Sequence, residues 1–341
     1  MIFTGYLFIL SVLLTLINIF LKKNFLLVSV TGDNHQKFAS DFKIPLTGGI
    51  FLFLGILYFL NQNILSLILF TFLILLLGIF SDLKIVNSAK LRFLLQISLV
   101  LSFVIFNDMQ IFDTRISFLD KFLSNNITNY FFVSFCILIA INGSNFIDGL
   151  NTLNIGYYFL IGIVIWYLNL DYQLNLNDIQ LNLFLVLLLL VLILNLFNML
   201  YLGDSGSYLL GFIFSVFLIN IYNWNPNMSP FFIILLLWYP CYETLFSMIR
   251  KKISKKSVMK PDVDHLHQLI FFIIKKNLKL KILTANLLSA NIINIYNLLI
   301  FCVAINFISN SKLQGIFILL NLIIYTVIYF ISYKYKYNTI R

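Results

Sequence analysis

Apolar runs of about 16–22 residues recur from one end of the chain to the other, each closed by a short polar connection. A helix needs about 20 such residues to cross a bilayer. The pattern predicts eleven spans, at residues 6–21, 44–60, 64–80, 91–106, 129–141, 155–170, 181–201, 207–222, 229–249, 283–308 and 313–333. The fifth run is short and the tenth is interrupted by Asn286, Asn291, Asn294 and Asn297, so ten spans is the alternative count. The predicted fold class is an all-α, polytopic transmembrane helical bundle, a single integral membrane domain over residues 1–341. An odd count puts the N-terminus outside and the C-terminus inside. The first run lacks a basic leading segment and a small-residue cleavage site and is followed by Lys22 and Lys23, so it reads as a retained span.

Composition agrees with that pattern. The 341 residues are 61% hydrophobic and 11% charged, whereas a soluble domain carries about 25% charged residues. Charge adds an orientation. If connections alternate sides, all but three of the 23 Lys and Arg residues fall on one side, the exceptions being Arg115, Lys121 and Lys312. A bias of that kind places the basic side in the cytoplasm. It also accounts for most of the net charge of +10, which therefore does not indicate nucleic acid; anionic lipid or a phosphorylated ligand suits the rest. Cys136, Cys241 and Cys302 all sit inside apolar runs, with no C-x-x-C pair, and support neither disulfides nor zinc.

The same side collects all three histidines with Asp82, Asp148 and Asp204. Asn142-Gly-Ser-Asn-Phe-Ile-Asp-Gly-Leu-Asn151 leaves the fifth run. Helical spacing puts Asn145 and Asp148 on one face, with Asn142 or Asn151 continuing it. Such oxygen ligands suit a hard cation, although an Asn/Asp/Gly run also caps a following helix. Leu202-Gly-Asp-Ser-Gly-Ser207 reads as an almost loopless junction. A carboxylate there is costly unless compensated, and the following helix N-terminus can seat a phosphate; an ordinary capped turn is the plainer reading. Lys260-Pro-Asp-Val-Asp-His265-Leu-His267-Gln268 lies among Arg250, Lys251, Lys252, Lys255 and Lys256. Paired histidines bind metal, donate to phosphate or act as acid and base. The loop is short of zinc ligands, and its cations favour phosphate. Asp82 ends the third run near Lys84, where a surface ion pair is the simple explanation. Glu243 is the one carboxylate inside a run, set to pair with a polar neighbour.

Taken in order, these blocks resemble the polyprenyl-phosphate N-acetylhexosamine-1-phosphate transferases, glycosyltransferase family 4, over about residues 33–268. The blocks are Ile44-Pro-Leu-Thr-Gly-Gly49, Asp82, Asn145-x-x-Asp148-Gly-x-Asn151, Gly203-Asp-x-Gly-Ser with Leu210-Gly-Phe212, and Pro261-Asp-x-x-His-Leu-His267. The last form is similar to the branch that initiates surface glycans such as O-antigen rather than the peptidoglycan-precursor branch, whose loop is His-His-His. Three positions depart from the pattern. Ser81 stands where the family has the first of two Asp, Asn151 where Asp is usual, and Gln268 where another His is usual.

The resemblance implies transfer of N-acetylhexosamine 1-phosphate from a UDP-N-acetylhexosamine to undecaprenyl phosphate, releasing UMP, in a multi-pass protein of the bacterial inner membrane with a cytoplasmic active site. It implies magnesium, or manganese, held by Asp204, Asn145 and Asp148. Asp82, Asp148, Asp204, His265 and His267 would be catalytic, with Lys37, Asn142, Asn145, Asn151, Arg250 and Lys260 binding substrate. A homodimer is the implied assembly. Alternatives are a phospho-N-acetylmuramoyl-pentapeptide transferase and a non-catalytic flippase, but a transporter places ionisable residues at the midplane and here nearly all lie at one edge.

Overall fold

The computed structural model describes residues 2–24, 27–28, 44–57, 65–172, 174, 176–255, 257 and 262–338. Lys37 and Lys260, both expected to bind substrate, lie outside the described residues. The helices are α1 (Ile2–Asn24), α2 (Gly48–Leu57), α3 (Leu65–Asp82), α4 (Ala89–Phe106), α5 (Ser117–Leu123), α6 (Asn126–Ile147) and α7 (Leu153–Tyr172). They continue as α8 (Asp178–Leu196), α9 (Gly203–Trp224), α10 (Pro230–Leu236), α11 (Trp238–Ile253), α12 (Leu266–Leu278), α13 (Ile282–Ile305) and α14 (Ser311–Asn338). Among the described residues, eight helices are long and apolar enough to cross a membrane: α3, α4, α6 to α9, α13 and α14.

Each of the eleven predicted runs holds a helix, but several differ from expectation. The ninth run is two helices, α10 and α11, bent by 73° where they meet, and counts as one broken span or none. The short fifth run extends to the 22 residues of α6, so Asn142 and Asn145 belong to its last turns rather than to a loop. The junction before Asp204 is not loopless: α8 stops at Leu196, and the Gly-Asp-Ser-Gly block is the first turn of α9.

The asparagines of α13 do not interrupt it, because most of them face protein. Asn286 Oδ1 accepts the Asn151 N–H at 2.9 Å, Asn294 Nδ2 donates to the Thr152 carbonyl at 3.1 Å, and Asn297 Oδ1 accepts from Trp238 Nε1 at 2.8 Å. Polar side chains joining helices in this way are a usual device within membranes.

α9 is the centre of the bundle, packed mainly against α3, α6 and α2. Its N-terminal half is too closely embraced for side chains on its neighbours. A Cβ on Gly49 would lie 2.6 Å from the Gly206 nitrogen, and one on Gly78 would strike Ser205 Cα. The paired glycines at the start of α2 therefore serve close backbone approach.

The two ends of the bundle differ in charge. Arg115 donates to the carbonyls of Pro226, Asn227, Met228 and Ser309, and to Ser311 Oγ. This gathers the connections before α5, between α9 and α10, and between α13 and α14 at one end, where Lys121 and Lys312 also lie. The opposite end carries Asp82, Asp148, Asp204 and His265.

Candidate active site

At that end, which also carries Lys84, Arg92 and the basic last turn of α11, a cavity of about 750 Å³ opens between α3, α4, α6, α9 and α11, within the range of a small-molecule site. Its polar wall includes Ser81, Asp82, Lys84, Arg92, Asn142, Asn145, Asp148, Asn151, Asp204, Lys251, Asp262 and His265. Its other wall is apolar: Phe93 from α4, Phe135, Leu138 and Ile139 from α6, and Leu245 and Met248 from α11. Phe135, Leu245 and Met248 are exposed, so the cavity is open along its apolar lining.

Asp204 sits in the first turn of α9, where a carboxylate complements the helix dipole. Its Oδ1 accepts from Asn145 Nδ2 at 2.7 Å, and its Oδ2 accepts from Arg92 Nη1 at 2.8 Å and from Ser81 Oγ. Arg92 Nη1 also donates to Ser81 Oγ. Asp82, on the last residue of α3, accepts the Asp204 N–H at 2.8 Å and the Ser205 N–H at 3.1 Å. The helix N-terminus expected to seat a phosphate is therefore filled by Asp82. This contact requires Gly203: its φ is +69°, and a Cβ there would lie 2.7 Å from Asp82 Oδ2.

Asp148 follows the last residue of α6. Its Oδ2 accepts from Ser207 Oγ at 2.8 Å, and burial pushes its carboxyl well above the usual range, with Asp204 and Asp82 adding to the rise. Asn142 Nδ2 donates to Gln96 Oε1 at 3.1 Å. Asn151 binds away from the acidic cluster, its Nδ2 donating to Asn198 Oδ1 at 2.6 Å.

The histidine block divides. His265 lies on the cavity wall, and its Nδ1 is 2.9 Å from Glu243 Oε1, which supplies the polar neighbour that Glu243 needed. His267, expected to be catalytic, is fully buried and does not line the cavity. Its ring stacks on His265 with centroids 5.6 Å apart, and among the described residues neither ring nitrogen has a hydrogen-bond partner. Burial pushes it down to about 3, so it is neutral at physiological pH. Arg250, expected to bind substrate, does not line the cavity either. It pairs with Asp262 at 2.6 Å and lies over the Tyr329 ring. Burial alone would raise Asp262, but the Arg250 guanidinium holds it below the usual carboxylate range.

Sequence reasoning missed Arg92, Gln96, Ser207 and Tyr208, and named Lys251 only as one of the phosphate-favouring cations around the histidine block. One signal was available for Arg92: it lies in the first turn of the helix that follows the Asp82 connection, so the two ends of that connection face each other.

Oxygen donors suit a hard cation. Magnesium is commonly bound by one or two carboxylates, the remaining positions being water and substrate phosphate. Among the described residues no three His, Cys, Asp or Glu side chains form a metal-holding group, whereas Asp204, bonded by Asn145, and Asp148, bonded by Ser207, both line the cavity as carboxylates. The donor chemistry fits magnesium, and zinc is disfavoured by the lack of nitrogen and sulfur ligands.

A model of "Glycosyl transferase family 4" matches residues 64–222, a stretch that holds Asp82, Arg92, Asn145, Asp148 and Asp204 in this geometry. That stretch of the chain is similar to glycosyl transferase family 4. Two relatives align over most of the chain. The first, from Bacillus subtilis, is described as "Probable undecaprenyl-phosphate N-acetylglucosaminyl 1-phosphate transferase"; it is 25% identical over 274 residues, covering 76% of this chain and 75% of the relative. The second, from Thermotoga maritima, is described as "Undecaprenyl-phosphate alpha-N-acetylglucosaminyl 1-phosphate transferase"; it is 26% identical over 231 residues, covering 66% of this chain and 67% of the relative. The family 4 match ends before α11 and α12, so Glu243, His265 and α14 lie beyond it.

Proposed function

We propose that this protein transfers N-acetylhexosamine 1-phosphate from a UDP-N-acetylhexosamine to a polyprenyl phosphate, releasing UMP and leaving a polyprenyl-diphosphate sugar in the membrane. The observation that carries this reading is the shape of the cavity. A wall of Asp, Asn, Arg, Lys and His meets a wall of Phe, Leu and Met that opens to the bundle surface. A lipid phosphate needs both at once. The relatives' descriptions make undecaprenyl phosphate the acceptor and N-acetylglucosamine the first sugar to test. The basic face supports a cytoplasmic site in a bacterial inner membrane, where UDP-sugars are made.

In the reaction, an oxygen of the lipid phosphate attacks the β-phosphorus of the UDP-sugar. The new P–O bond forms as the bond from that phosphorus to the bridging oxygen breaks, and UMP leaves with the electron pair. Phosphoryl transfer of this kind depends on positioning and charge neutralisation. Arg92, Lys84 and Lys251 supply cationic groups around the diphosphate, and His265 donates from the same polar wall. Asp82 acts by holding the first turn of α9, and with it Asp204, in place. A magnesium or manganese ion on Asp204 and Asp148, with Asn145 beside them, would neutralise the diphosphate when bound. A phosphate monoester is largely ionised near pH 7, so attack needs no strong base, and Ser81 in place of a carboxylate is compatible with turnover.

The product, a membrane-held diphosphate sugar, suits a pathway that initiates a surface glycan. The test is incubation of membranes containing the protein with undecaprenyl phosphate and each UDP-N-acetylhexosamine in turn. UMP and a lipid-extractable sugar are expected in equal amounts. Lipid-linked sugar movement without UMP would favour the flippase reading instead.

A further inference from the structure

We propose that Glu243 and Tyr325 are positioning residues that hold His265 with its Nε2 toward the cavity, so that the last helix, α14, belongs to the active-site architecture. The proposal deepens the transferase reading and rests on it for the identity of the anion that His265 serves.

Glu243 is fully buried inside α11. Its Oε1 accepts from His265 Nδ1 at 2.9 Å and from Ser247 Oγ at 3.3 Å, and its Oε2 accepts from Tyr325 OH at 2.6 Å. Removing a carboxylate from water is expensive, and an apolar side chain of the same volume would pack here at lower cost. The carboxylate therefore has a use beyond packing, and its closest charged partner is a ring on the cavity wall. A histidine bonded to a carboxylate through Nδ1 has a fixed orientation and presents the other nitrogen. Phe146 packs on the ring at 5.3 Å between centroids and His267 at 5.6 Å, which leaves it little freedom to turn.

α14 holds this arrangement at a second point. Lys336 Nζ donates to Asp264 Oδ1 at 2.7 Å and to the Val263 carbonyl at 3.0 Å, and Tyr337 OH donates to Asp264. The segment that delivers His265 is thus pinned beside the histidine by Lys336 and at the histidine by Tyr325 acting through Glu243. The charged and titratable groups around the ring are Glu243 and Lys251 on α11, His267 on α12, Asp262 in the preceding segment, Tyr325 on α14, and Asp148 two residues beyond Phe146. Asp262 and Asp264 are already neutralised by Arg250 and Lys336, which leaves Glu243 as the carboxylate bonded to the ring.

The experiment is UMP release by full-length protein in detergent, for wild type, Glu243→Gln, Tyr325→Phe, His265→Gln and the Glu243→Gln/His265→Gln pair. Glu243→Gln is expected to lower kcat about 10–100-fold. Tyr325→Phe is expected to lower it by less, and serves alone if Glu243→Gln does not fold. Adding Glu243→Gln to His265→Gln is expected to change kcat less than about 2-fold, because residues acting as a unit are not additive. A folded Glu243→Gln or Tyr325→Phe protein with unchanged kcat, or losses that multiply in the pair, would overturn the proposal. UDP binding by calorimetry separates it from the transferase reading. If wild type releases no UMP but Glu243→Gln weakens UDP binding, and weakens it no further when added to His265→Gln, the transferase reading fails and the positioning role stands. If Glu243→Gln changes neither kcat nor UDP binding, the positioning role fails.

Discussion

Arg92 Nη1 lies 2.8 Å from Asp204 Oδ2, and the Ser81 hydroxyl bonds both. The pair crosses from α4 to α9 at the bottom of the cavity. The family resemblance implies an Asp where Ser81 stands, and Arg92 here pairs with the carboxylate of Asp204 at this point.

Arg92→Gln is expected to lower kcat/KM by about 10²-fold, the scale on which a preorganised charge stabilises a transition state. Steady-state UMP release with UDP-sugar varied is the measurement. A loss confined to thermal stability, with kcat/KM unchanged, would make Arg92 a structural counter-ion only.

Ser81→Asp is expected to change the rate less than Asp82→Ala. Asp82 bonds two otherwise unpaired amides of α9, and loss of such a cap costs about 0.5–2 kcal/mol and frees the turn that carries Asp204. Ser81→Asp adds an anion beside Asp204 with Arg92 already between them. Unfolding midpoints and UMP release of both variants in matched membranes check this. An inactive wild type rescued by Ser81→Asp would mean that the second carboxylate is indispensable.

His267 gives the stability a pH dependence of known sign. Its folded value is about 3, whereas an unfolded histidine titrates near 6.5. Between those values the unfolded chain binds the extra proton, so stability is complete above about pH 6.5 and falls as the pH drops, by up to about 1.4 kcal/mol per pH unit. His267→Gln is expected to flatten the fall in unfolding midpoint between pH 7 and pH 5. An unchanged slope would show that other groups control it.

The charge partition predicts the topology. A cysteine placed at Ser257 is expected to be protected from an impermeant thiol reagent in intact cells, and one at Ser124 to be labelled. The opposite pattern would put the acidic cavity on the face without UDP-sugars.

Most of the fold was legible because bilayer thickness imposes its length on each apolar run, and α3, α4, α7 and α9 follow directly. The break between α10 and α11 was not, since both halves are apolar and Pro240 is the only local mark. The acidic residues of the site were legible because Asp and Asn are rare in such a chain and stood out by spacing. Their individual surroundings were not. Only packing decides that Arg250 turns to Asp262 while Lys251 reaches the cavity wall, or that His265 faces the cavity while His267, two residues on, is buried against the backbone at Gly149. Glu243 and His265 are 22 residues apart, with no periodicity to link them.

The account depends most on Asp204, the carboxylate that joins α3, α4 and α6 at the cavity floor. The most direct measurement is UMP release by purified protein given undecaprenyl phosphate and UDP-N-acetylglucosamine, with magnesium titrated, for wild type and Asp204→Asn. Wild type is expected to release UMP in a magnesium-dependent manner. Asp204→Asn, folded to the same unfolding midpoint within a few degrees, is expected to lose at least about 10²-fold in rate and to need more magnesium, because an amide binds a hard cation less well than a carboxylate. Equal turnover by the two proteins at limiting magnesium would contradict the account.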